Sequence, residues 1–209
     1  MAGPVGNEEL TPSVTVPALG LLEFSSIALG IRAGDAMVKR APVRALVAGS
    51  VQPGKFLVLV DGEVAEVEES LAAGTAAGAP ALIDRLFLPD AHAALGTALL
   101  GKRFPGTIVA LGVIETRTTA STLRAADAAM KGAMVELVEL RLANGLGGKG
   151  ISLYAGEVAD VEAAVEQGVA RVESGNLVHH VVIPSLHAEM AENVIAGTRF
   201  AAQFGLSEG

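Results

Sequence analysis

The sequence contains no cysteine, no tryptophan and a single tyrosine among its 209 residues. Without cysteine there are no disulfides, no thiolate metal sites, no cysteine nucleophile and no cysteine-ligated iron–sulfur cluster. Aromatic residues amount to only 3% and the formal net charge is −8, with a pI near 5.0. A nucleic-acid partner calls for a basic stripe and stacking aromatics, so that class is excluded. Long apolar runs are missing too. Mean hydropathy is high at +0.49, yet charges such as Glu23, Arg32, Asp35, Lys39 and Arg44 interrupt every stretch before it reaches the ~20 apolar residues of a membrane span. Residues 1–16 hold two acids, two prolines and no basic residue, unlike a signal peptide. They are expected to form a solvated tail on a cytoplasmic protein.

What is present is alanine, valine, leucine and glycine in excess, and they are arranged in a repeat. Ala18-Leu19-Gly20-Leu21-Leu22-Glu23 recurs as Ala110-Leu111-Gly112-Val113-Ile114-Glu115, and 12 of the 30 residues from 18 to 47 are identical at that offset. They include Arg32/Arg124, Asp35/Asp127, Lys39/Lys131 and Val43/Val135. Two extra residues in a Gly-rich loop then shift the second copy. Gly54-Lys55 matches Gly148-Lys149, Gly62-Glu63-Val64-Ala65 matches Gly156-Glu157-Val158-Ala159, and Pro89 and His92 match Pro184 and His187.

Each copy reads as strand (18–23; 110–115), helix (27–40; 119–132) with Ile27, Ile31 and Val38 inward, strand (43–49; 135–142), Gly-rich turn and strand (55–60; 149–154). A second helix (63–77; 157–171) with Val64, Val67 and Leu71 inward, a last strand (82–88; 178–183) and a short helix follow. The order β-α-β-β-α-β makes an α/β (α+β) fold of two tandem ferredoxin-like domains. The expected organisation is a tail (1–16), a first domain (17–99), a linker (100–107), a second domain (108–200) and a C-terminal tail (201–209).

Two glycine-rich stretches imitate nucleotide sites. Gly49–Lys55 fits G-x-x-x-x-G-K, but Phe56 replaces the magnesium-binding Ser or Thr and a strand follows where a P-loop requires a helix. Gly145–Gly150 fits G-x-G-x-x-G and also runs into a strand. Both read better as hairpin turns. His92 and His187 follow the last strand at equivalent places, which suggests a structural role. His179 and His180 are adjacent on a strand and point to opposite faces, so they make a poor metal pair. The acids of the second helices, such as Glu63, Glu66, Asp160 and Glu166, read as solvated faces, acids in a first turn also suiting the helix dipole. No nucleophile–base pair stands out, and the chain does not read as an enzyme.

The ordered pattern A-L-G-L/V-L/I-E, D-A-x-x-K-x-A-x-V, G-K, G-E-V-A-x-V-E and I/L-P-x-x-H, present twice, resembles the shell proteins of bacterial microcompartments. Within them it is similar to the tandem-domain, unpermuted group of propanediol-utilisation type. The resemblance implies a structural shell protein: a homotrimer with a pseudo-hexagonal outline, a central pore, and other shell proteins as partners, with encapsulated enzymes as further candidates. It places the pore at Ser50, Val51, Gln52, Pro53 and Gly54 and, in the second copy, at Asn144, Gly145, Leu146, Gly147 and Gly148. Lys39 and Lys131 match the lysine at tile edges. Gln52 falls where relatives carry a cluster-binding cysteine, so no cofactor is expected and no metal. Asp90 and Ser185 replace the family's edge arginine, which implies altered tile contacts. Lys55 and Lys149 either bias the opening toward anions or are buried by pairing with acids. The competing reading is a trimeric ferredoxin-like regulator holding a nucleotide or small effector between subunits.

Overall fold

The structure, a computed structural model, describes residues 18–102 and 104–200; the expected tails, 1–16 and 201–209, lie outside these. The first domain runs β1 (Ala18–Phe24), α1 (Ile27–Arg40), β2 (Ala45–Val51), β3 (Lys55–Gly62), α2 (Val64–Gly78), a 3-10 turn (Ala79–Ala81), β4 (Leu82–Leu88) and α3 (Ala93–Leu99). The second repeats it as β5 (Ala110–Thr116), α4 (Thr119–Gly132), β6 (Glu136–Leu142), β7 (Gly150–Gly156), α5 (Val158–Val169), β8 (Leu177–Ile183) and α6 (Ala188–Ala196). The sheets have the order β2-β3-β1-β4 and β6-β7-β5-β8, with antiparallel pairs throughout. This is the ferredoxin-like arrangement read from the sequence.

The repeated Ala-Leu-Gly motif has a packing cause. A Cβ on Gly20 would lie 2.9 Å from Val67 and Leu71 of α2, and one on Gly112 would lie 2.7 Å from Val165 of α5. Both contacts are closer than a methyl group allows, so the central strand carries glycine where its helix crosses. Every residue of β1 is buried, because its alternating side chains serve two cores. Leu22 and Phe24 join Met37, Val67 and Leu71 under the helices. Leu19 and Leu21 join Leu59, Leu86 and Leu95 on the opposite, outer face.

That outer face is sealed from the second domain: Ala120 and Leu123 of α4 are fully buried against it, with Leu140 and Leu142 of β6 alongside. The outer face of the second sheet is covered by α6 and by Phe104 and Ile108, and only in part. Val181 is 44% exposed where its counterpart Leu86 is 1% exposed.

Helix α1 departs from expectation. Ile27, Ile31 and Val38 are 42%, 57% and 44% exposed, and the buried face is Gly30, Ala33, Gly34 and Met37. A Cβ on Gly30 would meet Phe56 at 2.5 Å. Apart from Met37, the helix lies on its own sheet through small residues, and Ile27, Ile31 and Val38 point away from it. In α2, Val67 and Leu71 are buried as expected but Val64 is 41% exposed. Strand β2 starts two residues later than expected, at Ala45.

Candidate functional site

The two loops named from the sequence meet. In the β2–β3 turn Gly54 N–H donates to the Val51 carbonyl at 2.9 Å, Gln52–Pro53 is a cis peptide bond, and Gly54 adopts φ 96°. The β6–β7 loop is longer and is closed on itself by Leu146 N–H and Gly148 N–H donating to the Ala143 carbonyl. Gly145, Gly147 and Gly148 all have positive φ there, a conformation that glycine adopts at no steric cost. At Gly148 space matters as well, since a Cβ would lie 2.8 Å from Pro53 and 3.2 Å from the Gln52 carbonyl oxygen.

Ser50, Gln52, Pro53, Gly54, Asn144, Gly145 and Gly147 are exposed, Val51 and Leu146 half-buried, and Gly148 buried between the loops. Behind them lies an apolar cleft of about 390 Å³ lined by Leu21, Leu57, Leu59 and Leu99. Both glycine-rich stretches lead into strands, at Lys55 and Gly150, so neither offers phosphate a helix N-terminus.

Lys55 ties the loops together. Its Nζ donates to Glu23 Oε1 at 2.6 Å, to the Gly148 carbonyl at 3.2 Å and to the Arg117 carbonyl at 3.3 Å. Glu23 is fully buried. Burial pushes its carboxyl above the ordinary range, opposed by the Lys55 ammonium and by backbone N–H groups at the start of α4. Lys149 likewise pairs with Glu115. Both lysines are paired with acids, Lys55 largely buried in doing so and Lys149 still 46% exposed. Gln52 is exposed in the β2–β3 turn, and its amide does not fit an iron–sulfur cluster.

The junction between domains has its own chemistry, which sequence reasoning missed. Glu23 and Asp84 are cross-strand neighbours and together receive the N-terminus of α4. Thr119 N–H donates to Glu23 Oε2 at 2.7 Å; Thr118 Oγ and Ser121 Oγ donate to Asp84 Oδ2 at 2.5 and 3.0 Å. Anionic side chains at a helix start are favoured by the macrodipole and by its free N–H groups. Asn176 adds a bond to Asp84 at 3.3 Å, and His92 N–H donates to Asp127 at 2.8 Å. The repeat offset was the available signal: it aligns α1 with α4, and within one chain only α4 also reaches the outer face of the other domain's sheet.

Lys39 is 73% exposed and pairs with Asp35 at 2.6 Å. Lys131 pairs with Asp127 at 2.9 Å and also donates to the Asp90 carbonyl. His92 caps α3, its Nδ1 accepting from Ala94 N–H, which is the structural role expected; His187 holds the same place before α6 without a side-chain bond. His179 sits opposite Glu115 and His180 opposite Ile114, on different faces of the sheet.

A family model for the BMC domain matches residues 18–91 and again residues 110–186. The chain is 40% identical to "Bacterial microcompartment shell protein PduT" of Citrobacter freundii, over 86% of this chain and 98% of that protein. It is 38% identical to "Bacterial microcompartment shell protein EutM" of Salmonella typhimurium, over 40% of this chain and 85% of that protein. Among solved structures, a microcompartment protein from Desulfitobacterium hafniense is 44% identical with a TM-score of 0.74, over 84% of this chain and 98% of that one. No helix among the described residues is long and apolar enough to cross a membrane. With two matching domains in tandem and relatives spanning nearly its full described length, the chain belongs to the bacterial microcompartment shell proteins and is structural, not an enzyme.

Proposed function

We propose that this chain is a pore-bearing tile of a microcompartment shell: three copies join head to tail in a pseudo-hexagonal ring, with the β2–β3 and β6–β7 loops alternating around its axis. One observation carries the reading. Helix α4 buries Ala120 and Leu123 on the first sheet, while α1 leaves the equivalent Ala28 and Ile31 exposed. The second sheet correspondingly leaves Val181 and His179 uncovered. Donor and acceptor of the same interface thus lie at opposite ends of one chain, a heterologous arrangement that closes into a ring when its rotation allows. Three copies is the number implied by the tandem-domain resemblance.

Passage is the activity such a ring offers. Gln52, Ser50 and Asn144 supply neutral polar groups and the glycines supply backbone donors. The lysines nearest the loops are held by Glu23 and Glu115 and add no free charge. The opening therefore suits small polar metabolites. Beyond itself the tile meets other shell proteins along its edges, at Lys39 and Lys131, and encapsulated enzymes on one face.

Sedimentation of the purified chain, with imaging at higher concentration, tests this. Three-chain particles that extend into hexagonal sheets are expected. Monomers at micromolar concentration would sink the proposal. So would discrete trimers that tighten with added nucleotide, the behaviour of a ferredoxin-like regulator.

A further inference from the structure

The two kinds of junction in such a ring, one inside the chain and one between copies, differ at a titratable position. Within the chain, Glu23 and Asp84 hold the start of α4 as a pair of carboxylates. On the second sheet the register is the same, with a shift at the same point, and Glu115 faces His179 where Glu23 faces Asp84. Glutamate is kept and aspartate has become histidine. We propose that docking of a second copy at this face is gated by the protonation of His179, so that acid opens the ring at the junctions between copies. The proposal rests on the head-to-tail reading.

The repeat identifies what His179 would meet. Ser26 stands for Thr118, Ile27 for Thr119, Leu29 for Ser121 and Arg32 for Arg124. Ser26 is the N-cap of α1, as Thr118 is of α4. A neutral imidazole can accept a hydrogen bond from the Ser26 hydroxyl, as Asp84 accepts one from Thr118. An imidazolium cannot, and it would face the partial positive charge of the helix start. It would also face a guanidinium, because Arg124 lies 3.9 Å from Asp84 and Arg32 takes its place.

The groups on the receiving side are Glu115, Lys149 and His180. On the free face Glu115 is already paired with Lys149. On docking its second oxygen is claimed by Ile27 N–H, as that of Glu23 is by Thr119 N–H. Asn176, which supports Asp84, has the apolar Ala81 as its counterpart. His180 points to the opposite face, with the two rings edge-on and their centroids 6.3 Å apart. The undocked face therefore holds the proton better than the docked one. Association releases protons, is strongest above the range in which histidines titrate, and weakens as pH falls through it.

Sedimentation velocity of the full chain at pH 7.5 and pH 5.5 tests this with the wild type, His179→Asn, His179→Asp and His180→Asn. The wild type is expected to dissociate more readily at pH 5.5, by about tenfold for each junction that must release one proton per pH unit. His179→Asn removes that dependence, and His179→Asp, which restores the chemistry of the in-chain junction, keeps the ring closed at both pH values. His180→Asn behaves as the wild type. Equal pH dependence in the wild type and His179→Asn overturns the proposal, as does loss of the dependence in His180→Asn. Absence of three-chain particles at pH 7.5 instead overturns the head-to-tail reading itself.

Discussion

Lys55 is one ammonium with three oxygen partners on three different segments: Glu23, Gly148 and Arg117. Replacing it by methionine leaves the Glu23 carboxylate buried with only backbone donors. Removing one partner of a buried pair typically costs about 3–5 kcal/mol. The pH dependence has a definite sign. The Glu23 carboxyl is already raised in the folded state, so its contribution is most favourable below the ordinary carboxylate range and is lost as pH climbs through the folded-state value. Without Lys55 that value rises further. Urea unfolding at fixed protein concentration is therefore expected to show a larger loss for Lys55→Met at pH 7.5 than at pH 5. The sequence showed both repeated lysines and both repeated glutamates and left pairing with acids open, but not which acids, because 32 residues separate Glu23 from Lys55 and 93 separate Lys55 from Gly148. Asp84 was harder to see: its partners Thr118, Ser121 and Asn176 are ordinary polar residues in sequence and gather only when the domains dock.

At the scale of elements, strand and helix order followed from periodicity and turn chemistry alone, since two copies of one pattern correct each other's ambiguities. The orientation of α1 did not follow. A hydrophobic stripe says that a helix face is buried, not which surface buries it. Ile31 and Leu123 occupy equivalent places, yet Ile31 is 57% exposed and Leu123 is fully buried. Aspartate at the two positions should separate these roles. Ile31→Asp is expected to keep the helical circular dichroism of the wild type, with a stability change within about 0.5 kcal/mol for the isolated chain, while three-chain particles disappear. Leu123→Asp places a charge in the core between the domains and is expected to cost more than about 3 kcal/mol and to broaden or abolish the unfolding transition. Equal effects from the two substitutions would contradict the assignment of α1 to a neighbouring copy.

The whole molecule is a duplicated domain whose copies have diverged at the loops and at the junction while keeping a lysine in the last turn of α1 and of α4. Lys39 is largely exposed and its Asp35 partner is a neighbour on the same helix. Removing such a pair changes stability by less than about 0.5 kcal/mol. Lys39→Ala is thus expected to leave three-chain particles and thermal unfolding intact and to abolish extended sheets in electron micrographs. Sheets that form unchanged would remove the edge role from this lysine. Recognition at this scale was possible from ordered motifs that recur across nearly the whole chain. What the repeats could not convey is that α4 also seats on the outer face of the first sheet while α1 touches only its own sheet, a fact that depends on how two domains pack.

That seating would also set the order of assembly of the proposed ring. The junction at α4 is made by residues on a single polypeptide, so it forms at an effective concentration fixed by the short segment from Leu100 to Val109 and not by the number of molecules in the cell. In a closed ring of three, half of the contacts would be in place before any two chains meet. The sequence of loops around the axis would be written in the backbone as strict alternation. A ring assembled from separate domains would have to select that arrangement from many; a ring of this chain would come apart on dilution but could not be shuffled.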